Sequence, residues 1–330
     1  MARRNSYSAW TRLLKSTLKP GRQAQGLARK AIAASRPRMT TPGDWIAGIT
    51  MGAAGARRFR LYRPPGVTSR ERLPLLVMLH GCGQDADAFA ASTRMNRIAR
   101  QHRFLVLYPE QDRISNVQGC WNWYETRNGR ARAEVALIMK AIDQACLLHG
   151  ADRDRIAVAG LSAGASMAAL VATHAPERFK AVVMHSGVPP GTASSTATAM
   201  QAMRGRRGPA PLPAPADPSV AWPALLVIQG GRDGVVAASN GRATVQLWAD
   251  AAQAKAGRPR TQQRGQRHPM VVTDFSRGRR IVASFVDIAA LGHAWSGGAN
   301  GMAYSDSLGP DASRLAWAFA AKQFAARAAD

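Results

Sequence analysis

The chain is poor in cysteine and in acidic residues. Three cysteines among 330 residues allow at most one intramolecular disulfide, which excludes a disulfide-built scaffold. No stretch of about 18 consecutive apolar residues occurs, so a membrane-spanning helix is excluded by hydropathy. No internal repeat is visible, and no recognisable nucleic-acid-binding motif is present. The positive start is not followed by an apolar stretch of roughly 7–15 residues, so no secretory leader is expected and the sequence by itself points to the cytoplasm.

The scarcity of acids is local. Forty-five Lys and Arg against twenty Asp and Glu give a formal charge of +25. Residues 1–60 hold thirteen of the cations and a single acid, Asp44. A second basic cluster runs over 255–280, and the stretch between the two is closer to balance. The excess therefore belongs to an extension and an insertion. Trp10, Leu13, Leu14 and Leu18 recur at helical spacing, so a basic amphipathic helix lying on an anionic surface or polymer granule is one expectation for the extension. A solvated basic tail is the other.

What remains reads as one domain. Residues 1–42 are expected to be a basic, partly disordered extension, and residues 43–330 a single domain. Apolar runs at 73–79, 104–109, 155–159, 181–184 and 224–228 have the continuous character of buried parallel strands. Helical stretches over 86–101, 131–148 and 165–172 alternate with them, and a terminal helix is expected over 312–327. Strand and helix in alternation predict an α/β fold with a doubly wound, mostly parallel sheet. The Ala-, Ser- and Pro-rich segment 191–223 reads as a lid or long loop. Residues 254–271 are a basic insertion, followed by a hairpin of 271–275 and 280–286.

Chemistry enters at Gly160-Leu161-Ser162-Ala163-Gly164. This G-x-S-x-G follows a β-branched apolar run and precedes a good helix former, which is the strand, sharp turn and helix of a nucleophile elbow. Small flanking residues are needed because the turn leaves no room for larger ones. The helix N-terminus then faces the serine, where backbone N–H groups can receive an oxyanion.

A serine hydroxyl needs a histidine to take its proton and a carboxylate to orient that histidine. In this fold the chain order is Ser, acid, His, each after the carboxyl end of a strand. Of the seven histidines, only His268 and His293 follow the next plausible acid. His293 is flanked by glycines in Leu291-Gly292-His293-Ala294-Trp295-Ser296-Gly297-Gly298 and is the expected base; His268 lies in a basic stretch and reads as solvated. Asp233, directly after the strand ending at Ile228, is the expected acid, with Asp274 and Asp287 as rivals in the hairpin. Met78-Leu79-His80-Gly81-Cys82-Gly83-Gln84 supplies the oxyanion turn, with the N–H groups of Cys82 and Ala163 as donors and His80 as a brace. Cys82 and Cys120 flank the site, and the sequence leaves bridged and free thiols equally open. Cys146 reads as buried filler in a helix. No metal or organic cofactor is implied.

Leu79-His80-Gly81-Cys82-Gly83-Gln84, Tyr108-Pro109-Glu110-Gln111, Gly119-Cys120-Trp121-Asn122-Trp123-Tyr124, the elbow, His185-Ser186-Gly187 and the His293 stretch converge on one family. The chain resembles the poly(3-hydroxybutyrate) depolymerase-type esterases of the α/β-hydrolase superfamily, relatives of feruloyl and acetylxylan esterases, over about 58–324. The resemblance implies Ser162, Asp233 and His293 as triad, Cys82 and Ala163 as oxyanion donors, and Trp121, Trp123 and Trp295 as aromatic walls for substrate, with plain core packing as the other reading of Trp121 and Trp123. It implies an ester substrate, polymeric or oligomeric 3-hydroxybutyrate first and feruloyl or acetyl esters of polysaccharide second, and a family that is often exported. The chain departs from the family at Ala165-Ser166, at Val236-Ala237 where a proline is usual, and in the basic insertion. A reading of another class is a non-catalytic protein that binds anionic surfaces on a hydrolase scaffold.

Overall fold

The structure is a computed structural model that describes residues 41–326. The expectations for the basic extension lie almost wholly outside these residues. The first strands, β1 (Asp44–Gly52) and β2 (Gly55–Arg63), form an antiparallel hairpin. They lead into β3 (Leu73–Leu79), β4 (Leu105–Pro109), β5 (Ala151–Leu161), β6 (Ala181–His185), β7 (Ala224–Gly230), β8 (Lys255–Ala256), β9 (Arg260–Gln262), β10 (Met270–Arg277) and β11 (Arg280–Ile288). These eleven make one sheet in the order β1-β2-β4-β3-β5-β6-β7-β11-β10-β8, with β9 also on β10. The run from β4 to β11 is parallel, and both margins are antiparallel. The expected α/β, mostly parallel architecture is what forms.

The central strands have two apolar faces. In β3, Leu75, Val77 and Leu79 pack in one core, while Leu76 and Met78 pack in the other. Alternate side chains of a strand point to opposite faces, so a strand covered on both sides must be apolar throughout. One face carries α3 (Arg130–Leu148), α4 (Ala163–His174), α5 (Thr196–Met203) and α6 (Ser239–Ala251). The other carries α1 (Ala86–Thr93), α2 (Met95–His102) and α7 (Ala312–Ala326). Two further short strands, β12 (Trp295–Ser296) and β13 (Ser305–Asp306), pair beside the sheet.

Three stretches differ from the sequence reading. The helix expected over 86–101 is two helices, because Arg94 turns left-handed at φ 56° and its N–H closes the first helix on the Ala90 carbonyl. The 191–223 segment is not all loop: Ser195 and Thr198 form a reciprocal cap for α5, whose Ala199 and Ala202 are buried. The basic insertion is zipped onto the sheet, with Arg260–Gln262 pairing against Met270 to Val272. Strands of two and three residues are too short to show an alternating pattern.

Gly160 and Gly164 lie where β5, α4 and the end of β3 approach backbone to backbone. A Cβ on Gly164 would fall inside the van der Waals envelope of the Leu79 and His80 carbonyl oxygens. Neither carbonyl can retreat without breaking the β3 end. We predict that Gly164→Ala lowers unfolding free energy by at least about 3 kcal/mol, read as a shift in urea midpoint; a shift below a third of that would disprove the tight crossing.

Candidate active site

Ser162 stands between β5 and α4 at φ 57°, ψ −121°, a conformation rarely adopted by a residue with a side chain. Its N–H donates to the His185 carbonyl at 2.9 Å, and its carbonyl accepts from Ala165 and Ser166 at 3.0 and 3.1 Å. The turn is thus held by β6 on one side and the first helical turn on the other. The Ala163 N–H, first in the helix, has no acceptor among the described residues, nor has that of Cys82. The turn carrying Cys82 crosses close above: a Cβ on Gly81 would sit 3.7 Å from that of Ser162.

That turn is held from behind. The His80 Nδ1–H donates to the Gly81 carbonyl at 2.8 Å, and its Nε2 accepts the Gln111 N–H at 3.0 Å. Complete burial pushes the His80 pKa down, outweighing its bond to Gly81, which keeps the ring neutral and able to accept. Gln84 Oε1 accepts the Gly81 N–H at 3.0 Å. Cys82 and Cys120 are joined by a disulfide, so the bridged alternative is the one observed, and Cys146 is free and buried.

Behind His80 lies a hub that the sequence reading missed. Glu134, on α3, is 2% exposed and accepts from Gln111 Nε2 and Asn122 Nδ2 at 2.6 Å each and from the Asn122 N–H at 2.9 Å. Arg57 lies 3.6 Å from it, itself 5% exposed. Burial raises the Glu134 pKa, and these donors pull against the rise. A glutamate on the otherwise apolar buried face of α3 was the available signal.

Asp233 and His293 are brought together. The His293 Nδ1–H donates to Asp233 Oδ2 at 2.8 Å, and Oδ1 accepts the Val235 and Val236 N–H groups at 2.9 and 2.8 Å. Burial works to raise the Asp233 pKa, but the His293 bond and charge and the two backbone donors overcome it, so the net shift is downward. With Nδ1 so committed, His293 Nε2 faces away from the carboxylate as an acceptor. Ser162 Oγ makes no hydrogen bond to any described residue, and its turn is linked to the His293 loop through His185. The rivals lie elsewhere. Asp274 is taken by Arg260 and Ser284, both at 2.6 Å, and Asp287 by Arg242 at 3.2 Å.

His185 links the two halves. Its carbonyl holds the Ser162 turn, and its ring Nε2 accepts the Ser296 N–H at 3.1 Å, three residues past His293. It stacks on Trp295 with centroids 5.2 Å apart. Its pKa is pushed down to about 3, first by burial and then by His293, with Asp233 opposing.

The aromatic-wall expectation fails for Trp121 and Trp295. Neither ring is exposed at all, and their Nε1–H groups donate to the His80 carbonyl and the Ser313 hydroxyl, both at 3.1 Å. Trp123 is nearly buried and packs edge-on to Tyr124. Large rings with a polar handle here serve as braces. His268 is not merely solvated: its Nε2 lies 3.6 Å from Asp306 and its N–H donates to the Leu308 carbonyl.

The arrangement is that of an α/β-hydrolase. The profile of the family described as Esterase PHB depolymerase matches residues 57–260, more than half of the chain, and the chain belongs to that family. Poly(3-hydroxyalkanoate) depolymerase C of Paucimonas lemoignei is 36% identical over 131 residues, 39% of this chain and 31% of that protein. Feruloyl esterase B of Neurospora crassa is 32% identical over 114 residues, 34% of this chain and 39% of that protein. The chain thus spans about a third of the length of these relatives. The acetyl xylan esterase of Aspergillus awamori superposes with a TM-score of 0.62 at 19% identity, covering 76% of this chain and 94% of that one, a likeness of fold.

A histidine whose folded pKa is depressed stabilises the fold above its unfolded value and loses that contribution as pH falls toward the folded one. For His185 the window runs from about pH 6.5 down to about 3. We predict that it steepens acid destabilisation by up to about 1.4 kcal/mol per pH unit in this window and that His185→Gln flattens the slope. Urea midpoints between pH 4 and 7 check this; identical slopes for both proteins would refute it.

Proposed function

We propose that this protein is a serine carboxylic-ester hydrolase. The observation that carries the reading is the Asp233–His293 hydrogen bond of 2.8 Å, which leaves Nε2 to accept a proton at the end of the sheet where Ser162 and two unengaged N–H groups converge. Ser162 Oγ attacks the ester carbonyl carbon while His293 Nε2 takes its proton. Negative charge grows on the carbonyl oxygen, and the N–H groups of Cys82 and Ala163 receive it. Collapse breaks the bond to the alcohol oxygen, which leaves with the proton from His293. Water, deprotonated by the same ring, then splits the acyl-enzyme and frees the acid. Asp233 holds the imidazole in the tautomer this needs.

The substrate we favour is oligomeric or polymeric 3-hydroxybutyrate or a related hydroxyalkanoate ester. Family membership and the P. lemoignei relative support it. Feruloyl or acetyl esters of polysaccharide are the second reading, supported by the N. crassa feruloyl esterase. The basic extension would then favour an anionic surface or polymer granule as partner.

Hydrolysis of p-nitrophenyl butyrate and of soluble 3-hydroxybutyrate oligomers tests the reading. Both should be cleaved, and Ser162→Ala and His293→Ala should each lower kcat by about a thousandfold or more. Cleavage of the butyrate alone would favour the polysaccharide-ester reading. A folded protein that cleaves neither and binds polyanions in a salt-dependent way would replace it with the non-catalytic reading.

A further inference from the structure

With the tryptophans buried, the exposed aromatic surface of the site has to lie elsewhere. Among the described residues a single aromatic side chain is exposed, Tyr304 at 44%. Its ring stands against His293, centroids 6.5 Å apart and planes at 84°. An edge-on partner this close to the proposed base, with nearly half of its surface open to solvent, is not a core residue.

The backbone supports a role outside packing. Tyr304 sits at φ 55°, where a bulky side chain is unfavourable and where glycine or asparagine is the ordinary occupant. Strain of this kind persists where the surroundings over-determine it and clusters at ligand sites. Here the surroundings do so. The Tyr304 carbonyl accepts the Trp295 N–H at 2.8 Å, and Ser305 pairs with Trp295 in β12–β13. The Ser305 hydroxyl donates to the Ala299 carbonyl at 2.7 Å, and Arg267 donates to the Gly309 carbonyl. The loop is fixed, and the ring it presents is left uncovered. No described residue bonds the Tyr304 hydroxyl.

We infer that Tyr304 contacts the alcohol portion of the ester and selects for alcohols that carry an extended carbon chain or ring. This rests on the serine-hydrolase reading above. In that reaction His293 gives its proton to the departing alcohol oxygen, so the group bonded to that oxygen passes the imidazole and whatever packs against it. The ring face offers apolar and stacking contact. Its hydroxyl is free to donate to the next carbonyl of an oligoester.

The test holds the acyl group constant and varies the alcohol. kcat/KM is measured for methyl butyrate and benzyl butyrate with wild type, Tyr304→Phe and Tyr304→Asn. Asparagine suits a positive φ, so the Asn variant should melt at or above the wild-type temperature. The benzyl-to-methyl selectivity ratio should fall about tenfold in Tyr304→Asn, the size expected for a lost apolar subsite contact, and stay within about twofold of wild type in Tyr304→Phe. An unchanged ratio in Tyr304→Asn, or equal loss on both esters, overturns the inference. A wild-type protein that cleaves no ester overturns the hydrolase reading and the inference with it.

Discussion

Backbone contact without intervening side chains, where β5 and α4 meet the end of β3, is the constraint on which the site depends. Gly160 faces the Gly164 carbonyl, and Gly164 faces the Leu79 and His80 carbonyls. Because nothing separates these chains, the Gly81–Cys82 turn lies across Ser162 and the first helical N–H groups emerge beside it. The strained φ of Ser162 is a consequence: the chain must reverse in one residue. The strain is offset by three hydrogen bonds to the turn's own backbone and by burial of the helix that follows.

Two buried polar centres hold this geometry from opposite sides. Glu134 gathers Gln111, Asn122 and Arg57, and Gln111 passes the restraint to His80 and so to the Gly81–Cys82 turn. His185 joins the Ser162 turn to the His293 loop through its carbonyl and its ring. Each histidine accepts from a backbone N–H, which only the neutral ring can do. Burial supplies that neutrality by disfavouring the charged form. Low dielectric makes such bonds strong when satisfied and costly when broken, so these side chains are rigid supports. The Cys82–Cys120 disulfide adds a covalent tie between the Gly81–Cys82 turn and the loop that carries Asn122.

The parts legible in the sequence are those with local signatures. Continuous apolar runs marked β3, β4 and β7, and the G-x-S-x-G between strand and helix marked the elbow. Chain order singled out Asp233 and His293, which the structure joins. What was not legible depends on contacts between distant segments. Trp121 and Trp295 carry the residue type of a substrate wall, but whether a ring faces solvent is decided by what packs on it, here His80 and Ser313. Glu134 lies 77 positions from Arg57, its cationic neighbour, and no spacing rule links them. Tyr304 has no motif; its distinction is a backbone angle and an exposure, both properties of the folded chain. The break at Arg94 is a left-handed backbone angle at an arginine, which helix propensity does not mark.

The basic insertion changes meaning once its contacts are known. The family profile ends at residue 260, and the residues just beyond it form the loop between β9 and β10. That loop is not an inert appendage. His268 and Arg267 bind the 306–309 stretch through Leu308, Asp306 and Gly309. The same stretch continues from Tyr304, and Tyr304 touches His293. A segment outside the family match therefore braces the rim on the side of the site nearest the imidazole. The elbow, the acid and the glycine crossing are buried and tolerate little change, whereas this rim is exposed and built from a lengthened hairpin. Divergence in substrate within such a family is cheapest where the chain can lengthen without disturbing the crossing, and the 260–309 region meets that condition.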